Sequence, residues 1–227
     1  MENSKNFYQE FLGQIAVIKR NYEGSNEKPT LLLHACCCPC SSHCIEVLQE
    51  YFDITIFFYN PNIDDEEEYK KRFAELERFV RECDFAKDVQ LLDGGFDPTP
   101  FFEMAKGYED EPERGARCYR CYELRLAKTV ECADRMGYDF YTTTLSISPY
   151  KNAEWLNEIG ARLENDSTFL FSDFKKKNGY KRSIELSEEY HLYRQDYCGC
   201  IYSKRDRDRK REESQKREEA QGKDGGR

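Results

Sequence analysis

No apolar run in this sequence is long enough to cross a bilayer; the longest, such as ITIFFY, falls far short of the ~20 residues a spanning helix needs. The N-terminus, MENSKNFYQEFLGQIAVIKRN, lacks the basic start, apolar core and small-residue cleavage site of a secretory signal. No membrane partner is expected, and a cytoplasmic location is. Stable structural disulfides are rare in that reducing compartment. The loop after the first apolar strand pattern, HACCCPCSS, contains no glycine, which argues against a glycine-rich pyrophosphate loop for ATP. Internal repeats are absent. Positive charge is in deficit, with 35 Lys and Arg against 44 Asp and Glu and a net charge of −9. Such a balance opposes broad, nonspecific attraction to nucleic-acid phosphates, though it leaves room for a local basic patch.

Cysteine, by contrast, is plentiful. Eleven are present, and LLLHACCCPCSSHC, from Leu31 to Cys44, holds five of them. Four explanations compete: a disulfide knot, a zinc site, an iron–sulfur cluster, or small buried residues gathered by chance. The compartment disfavours the first and points to metal or redox chemistry. With 227 residues, 39% hydrophobic and 14% aromatic, the chain has the composition of a globular protein and the length for one large domain or a domain with an appendage.

Apolar β-rich runs alternate with amphipathic helical segments. Strands are expected at Thr30–His34, Ile54–Tyr59, Val89–Leu92, Phe140–Leu145 and Phe169–Phe171. Helices are expected over about Ser42–Tyr51, Pro100–Lys106, Cys118–Met136, Ala153–Leu163 and Ile184–Tyr193. Another fits DDEEEYKKRFAELERFVREC, which sets Tyr69, Phe73, Leu76, Val80 and Cys83 on one face and its acids at the favourable N-terminal end. This alternation implies a single α/β domain, a parallel sheet flanked by helices on both faces. Residues 1–28 are read as a helical extension on the outside, 29–202 as the catalytic unit, and 203–227 as a solvated tail, partly helical or disordered. That tail holds ten Lys/Arg and seven Asp/Glu.

In open parallel sheets ligands sit beyond the carboxyl ends of the strands, and HACCC lies just past the first one. Two further thiol pairs follow, C-x-x-C at Cys118 and Cys121 opening a helix, and C-x-C at Cys198 and Cys200. Backbone N–H groups and the dipole at a helix start favour thiolates, which bind soft metals. Two ligands from that helix and two from the CCC turn would complete a four-cysteine site for zinc or [4Fe–4S]. A run of adjacent cysteines where a substrate pocket belongs favours the redox cluster over structural zinc. Cys198 and Cys200 are then spare thiols, with Gly199 flexible enough between them to permit a reducible disulfide. Cys44, Cys83 and Cys132, alone inside helical patterns, read as small buried hydrophobes.

Together, LLLHACCCPCS, FFYNPNI, RCYRCYELRL, TTTLSISPYKN, SDFKKKNGYKRSIELS and LYRQDYCGC resemble the QueH-type epoxyqueuosine reductases, from about Leu31 to Tyr202. One departure is Cys38, a larger residue than usual within CC-x-PC, treated as a bystander. The resemblance implies a HUP-like fold and a cobalamin-independent reduction of the epoxide of epoxyqueuosine to queuosine at the wobble position of tRNA. It implies a [4Fe–4S] cluster held by Cys36, Cys37, Cys118 and Cys121, with Cys198 and Cys200 as the redox-active pair.

Removing an epoxide oxygen consumes two electrons and two protons and releases water. A second mononuclear iron, held by spare thiols such as Cys40 and a carboxylate, is a candidate Lewis acid. Asp173 and Asp196 are candidate proton donors, with Tyr197 weaker, and His34 is a candidate for tuning the metal. Ser146, Ser148 and Lys151 are candidate phosphate or ribose contacts. FKKKNGYKR offers Lys175, Lys176, Lys177, Tyr180, Lys181 and Arg182 as a local basic patch for the tRNA anticodon arm. An electron donor of unidentified kind is required. The rival readings are an iron–sulfur tRNA sulfurtransferase, a zinc-stabilised noncatalytic RNA-binding protein and a thiol–disulfide oxidoreductase.

Overall fold

The computed structural model describes residues 5–224; residues 1–4 and 225–227, the ends of the expected extension and tail, lie outside the described residues. Five strands, β1 (Thr30–His34), β2 (Asp53–Phe58), β3 (Gln90–Asp93), β4 (Phe140–Thr143) and β5 (Thr168–Phe169), form one sheet in the order β3-β2-β1-β4-β5. Every pairing is parallel, with His34 opposite both Phe57 and Thr143. The strands read as nearly unbroken apolar runs because both faces are covered.

Alternation along β1 assigns its leucines. Leu31 and Leu33 point to one face, where they pack with Phe11, Ile15 and Ile18 of α1 (Phe7–Asn21), Ile45 and Leu48 of α2 (Cys38–Leu48), and Leu76 and Phe79 of α3 (Glu66–Glu82). Leu32 points the other way, onto Tyr122, Leu126 and Val130 of α5 (Ala116–Met136) and Leu156 and Ile159 of α6 (Ala153–Leu163). Short α4 (Thr99–Ala105) leans on α5, and α7 (Gly179–Glu189) on α2. The expected α/β fold is the observed one. Among the described residues no helix is long and apolar enough to cross a membrane.

Three boundaries differ from expectation in ways that matter for the site. The second helix starts at Cys38 rather than Ser42, because Pro39, with its fixed φ and no N–H, suits a first helical turn. Cys37 is therefore its N-cap, and the cysteine run bridges a loop and a helix start. The seventh helix begins at Gly179 rather than Ile184, after Lys177 and Asn178 in left-handed conformation. Finally, the last helix, α8, runs from Ile201 to Asp224 and takes in most of the charged tail. Its Arg, Lys, Glu, Gln and Ala are strong helix formers, and Arg207 and Arg211 tie it to Asp196.

Candidate active site

The chain reverses its direction of sheet building between β1 and β4, and a crevice opens there at the carboxyl ends of both strands. A cavity of about 980 Å³ occupies it. Cys36, Cys37 and Cys40 reach it from the end of β1 and the start of α2. Ser148, Tyr150 and Lys151 reach it from beyond β4, and Asp196, Tyr197 and Cys198 from the segment before α8. The volume suits a nucleoside-sized ligand.

The sulfurs of Cys36, Cys37 and Cys40 lie within 4.8 Å of one another, the one such group of metal-ligating side chains among the described residues. Cys36 donates to Cys37 across 3.7 Å. Hydrogen bonds from Cys36 and Cys40, aided by the charge of Arg72, hold the Cys37 thiol well below the ordinary thiol range in spite of burial. Cys37 is thus the first thiolate of the three, and its neighbours are the proton donors. Convergent soft sulfur donors fit a thiophilic metal or an iron–sulfur group.

The other two thiol pairs meet in a small adjoining cavity lined by Cys118, Cys121, Cys198 and Cys200. Cys121 and Cys200 sit with Phe101 in one apolar cluster that seats α4, α5 and α8. Burial raises the Cys118 thiol and pushes Cys121 up to about 11, so desolvation outweighs the expected help of the helix start. Cys198 is the exception. A hydrogen bond from Cys200 and the Lys151 ammonium, 3.0 Å from its sulfur, hold it well below the usual thiol value. Cys198 and Lys151, with Glu113 and Ser203, line both cavities, so the two thiol sets adjoin one another. The turn at Gly199 demands glycine: φ is +113°, and a Cβ would lie 2.9 Å from Ile63. Arg72, 1% exposed and paired with Glu68, donates to the Cys198 carbonyl and braces that turn.

Beneath the thiols, the buried Arg125 guanidinium donates to Asn60 Oδ1 at 2.5 Å and to His34 Nε2 at 3.3 Å. No carboxylate pairs with it among the described residues, so the thiolates are its natural counter-charge. Burial and this cation push His34 down to about 3, leaving a neutral imidazole bonded to Thr143 Oγ1. His34 does not line either cavity; it positions Arg125.

Several expected site residues lie elsewhere. Ser146 is fully buried and bonds Ser172, so it is a packing hydroxyl, unlike Ser148 on the cavity wall. Asp173 is off the cavity and paired with Lys175 at 2.7 Å. Of the basic stretch only Tyr180 reaches the cavity: Arg182 forks onto Glu46, Lys181 leans toward Glu185, and Lys176 and Lys177 stay outside. Asp196 does line it, but Arg207 and Arg211 overcome partial burial and keep its carboxyl below the ordinary range. Tyr197, pushed up to about 12 by burial and Glu68, stays protonated.

The sequence profile of the family described as epoxyqueuosine reductase QueH matches residues 31–206. That span contains every thiol described above. The chain belongs to the epoxyqueuosine reductase QueH family. Relatives named epoxyqueuosine reductase QueH include that of Staphylococcus epidermidis, 40% identical over 89% of this chain and 87% of the relative. That of Streptococcus pyogenes serotype M1 is 39% identical over 89% and 80%. That of Thermotoga maritima is 33% identical over 80% and 93%.

Sequence reasoning missed two of this QueH-family chain's site features, Arg125 and the cavity face of α8, and named a third, Lys151, for a different contact. Arg125 lies four residues after Cys121, on the same face of α5, a spacing that carried the signal. Lys151, a candidate phosphate or ribose contact, faces the Cys198 thiolate. The cavity face of α8, with Arg207, Lys210 and Arg211, was hidden inside a stretch read as solvated tail.

Proposed function

We propose that this protein reduces the epoxide of epoxyqueuosine to the cyclopentene of queuosine at the wobble position of tRNA, in the cytoplasm and without cobalamin. The observation that carries this reading is the convergence, in a QueH-family chain, of a three-thiol group and a lysine-paired thiolate on one nucleoside-sized cavity. Cys36 and Cys37 with Cys118 and Cys121 would hold a [4Fe–4S] cluster, and Cys40, which converges on the first two, would serve a second, mononuclear iron. When bound, such a group supplies single electrons and a Lewis-acid iron.

The chain's own residues do the rest. Lys151 keeps Cys198 as a thiolate, and Cys198 and Cys200 together store the two electrons that the reduction consumes, closing to a disulfide as they are spent. A separate electron donor reopens it. Arg125 neutralises the charge gathered under the cavity floor. Tyr197 is the wall's protonated phenol and the better placed proton donor for the departing oxygen, since Asp196 is held ionised. Ser148 and Tyr180 border the nucleoside. A stacked base cannot reach this crevice, so the wobble nucleotide must be splayed out of the anticodon loop.

Anaerobically purified protein should be brown, contain iron and sulfide, and after reduction convert epoxyqueuosine in tRNA to queuosine, read by nucleoside analysis. A colourless zinc protein that binds RNA without converting it would replace this reading with the noncatalytic one.

A further inference from the structure

The chain carries a net charge of −9, yet its large cavity has the opposite sign: six Lys/Arg side chains line it against three acids, Glu113, Asp196 and Asp206, and the thiolates of Cys37 and Cys198. Half of those cations come from one helix. Along α8, Ser203, Arg207, Lys210, Arg211 and Ser214 line the cavity, a spacing of three to four residues that defines a single helical face. Arg205 and Arg209 fall on the opposite face and do not line it. The family match ends at residue 206, so this wall lies beyond the part the chain shares with its relatives' profile.

We propose that the inner face of α8, carried by Arg207, Lys210 and Arg211, is a phosphate-binding wall that grips the RNA backbone beside the nucleotide held in the cavity. The inference rests on the proposed RNA substrate. Phosphates flanking an inserted nucleotide must run along the cavity rim, and this helix forms that rim. Lys210 is exposed and has no ion-pair partner among the described residues. Arg207 and Arg211 are held on Asp196, and Arg207 also pairs with Asp208. An incoming phosphate would compete with Asp196 for both guanidinium groups, which keeps them aimed inward before RNA arrives. The basic 175–182 stretch, by comparison, spends Lys175 and Arg182 on Asp173 and Glu46.

The test is equilibrium binding of a synthetic RNA hairpin with a seven-nucleotide loop to the full chain across a salt series (about 0.05–0.3 M). Replacing Arg207, Lys210 and Arg211 together by Gln should weaken binding about tenfold or more and flatten the salt slope by about two. Lys210→Gln alone, which breaks no ion pair, should flatten it by about one. Arg205→Gln with Arg209→Gln should change it far less, and Asp196→Asn, which frees Arg211 and leaves Arg207 on Asp208 alone, should tighten binding. Thermal unfolding of each variant identifies any that fails to fold. Wild-type hairpin affinity and slope in a folded triple variant would overturn the wall, and the face would then fit an acidic protein partner instead. So would weaker binding by folded Asp196→Asn, since Asp196 would then merely anchor the helix. Binding reads no turnover: a protein that binds the hairpin as described yet forms no queuosine would count against the reductase reading and not against the wall.

Discussion

Lys151 Nζ lies 3.0 Å from Cys198 Sγ, joining the loop after β4 to the segment before α8 across 47 residues of chain. The Cys200 hydrogen bond and this ammonium together hold the Cys198 thiol low. In Lys151→Met the thiolate loses its counter-charge, so its pKa rises. Alkylation of Cys198 by iodoacetamide at pH 7, followed by peptide mass spectrometry, should slow about tenfold or more. An unchanged rate and pH profile would remove Lys151 from the dithiol's chemistry.

Neighbouring cysteines should behave differently. Cys37 belongs to the convergent thiol group, whereas Cys38, 1% exposed, packs into the core with Ile45 and Leu48. Cys37→Ala should lose bound iron and colour. Cys38→Ala should retain both and lower unfolding stability by about 1 kcal/mol, the cost of a small cavity. Iron analysis and urea unfolding of the two variants separate these outcomes.

His34 makes the fold acid-sensitive. Its pKa in the fold is about 3, against an ordinary value of 6.5, because burial and Arg125 oppose the imidazolium. Between those values the unfolded chain binds the proton and the native one does not. Stability from this group is therefore complete above 6.5 and lost as pH falls toward 3, at about 1.4 kcal/mol per pH unit. Urea unfolding at several pH values should follow that slope, and His34→Gln should flatten it while lowering stability at neutral pH.

Two glycines should respond with opposite sign. A Cβ on Gly179 would lie 1.9 Å from the Phe174 carbonyl oxygen, and the backbone there cannot give way cheaply. Gly179→Ala should cost about 3 kcal/mol and displace Tyr180 from the cavity wall. Gly13, exposed within α1, meets nothing within 4 Å, so Gly13→Ala should stabilise by about 0.5–1 kcal/mol. Thermal unfolding reads both.

Much of this architecture is legible without coordinates. Thr30–His34 and Ala153–Leu163 are observed with the boundaries their patterns suggest. The α5 helix gains only two residues at its start. Such elements announce themselves because apolar periodicity is written in neighbouring residues. The placement of Cys36 and Cys37 beyond β1 follows from strand order alone. Charge was harder to read. FKKKNGYKR looks like the basic patch, yet its cations turn to Asp173, Glu46 and Glu185, while a tail of mixed sign supplies the cavity's basic wall.

The sequence by itself determined the parallel α/β class, the three thiol groups and the family, because each is carried by short-range spacing and composition. Only the tertiary structure decided which groups meet: Lys151 with Cys198, Cys118 and Cys121 with Cys198 and Cys200, Arg125 with His34, and Asp173 turned away from the cavity. The physical reason is separation along the chain. Residues three or four apart are brought together by the backbone itself, but partners dozens of residues apart meet only after the sheet order and its covering helices have formed.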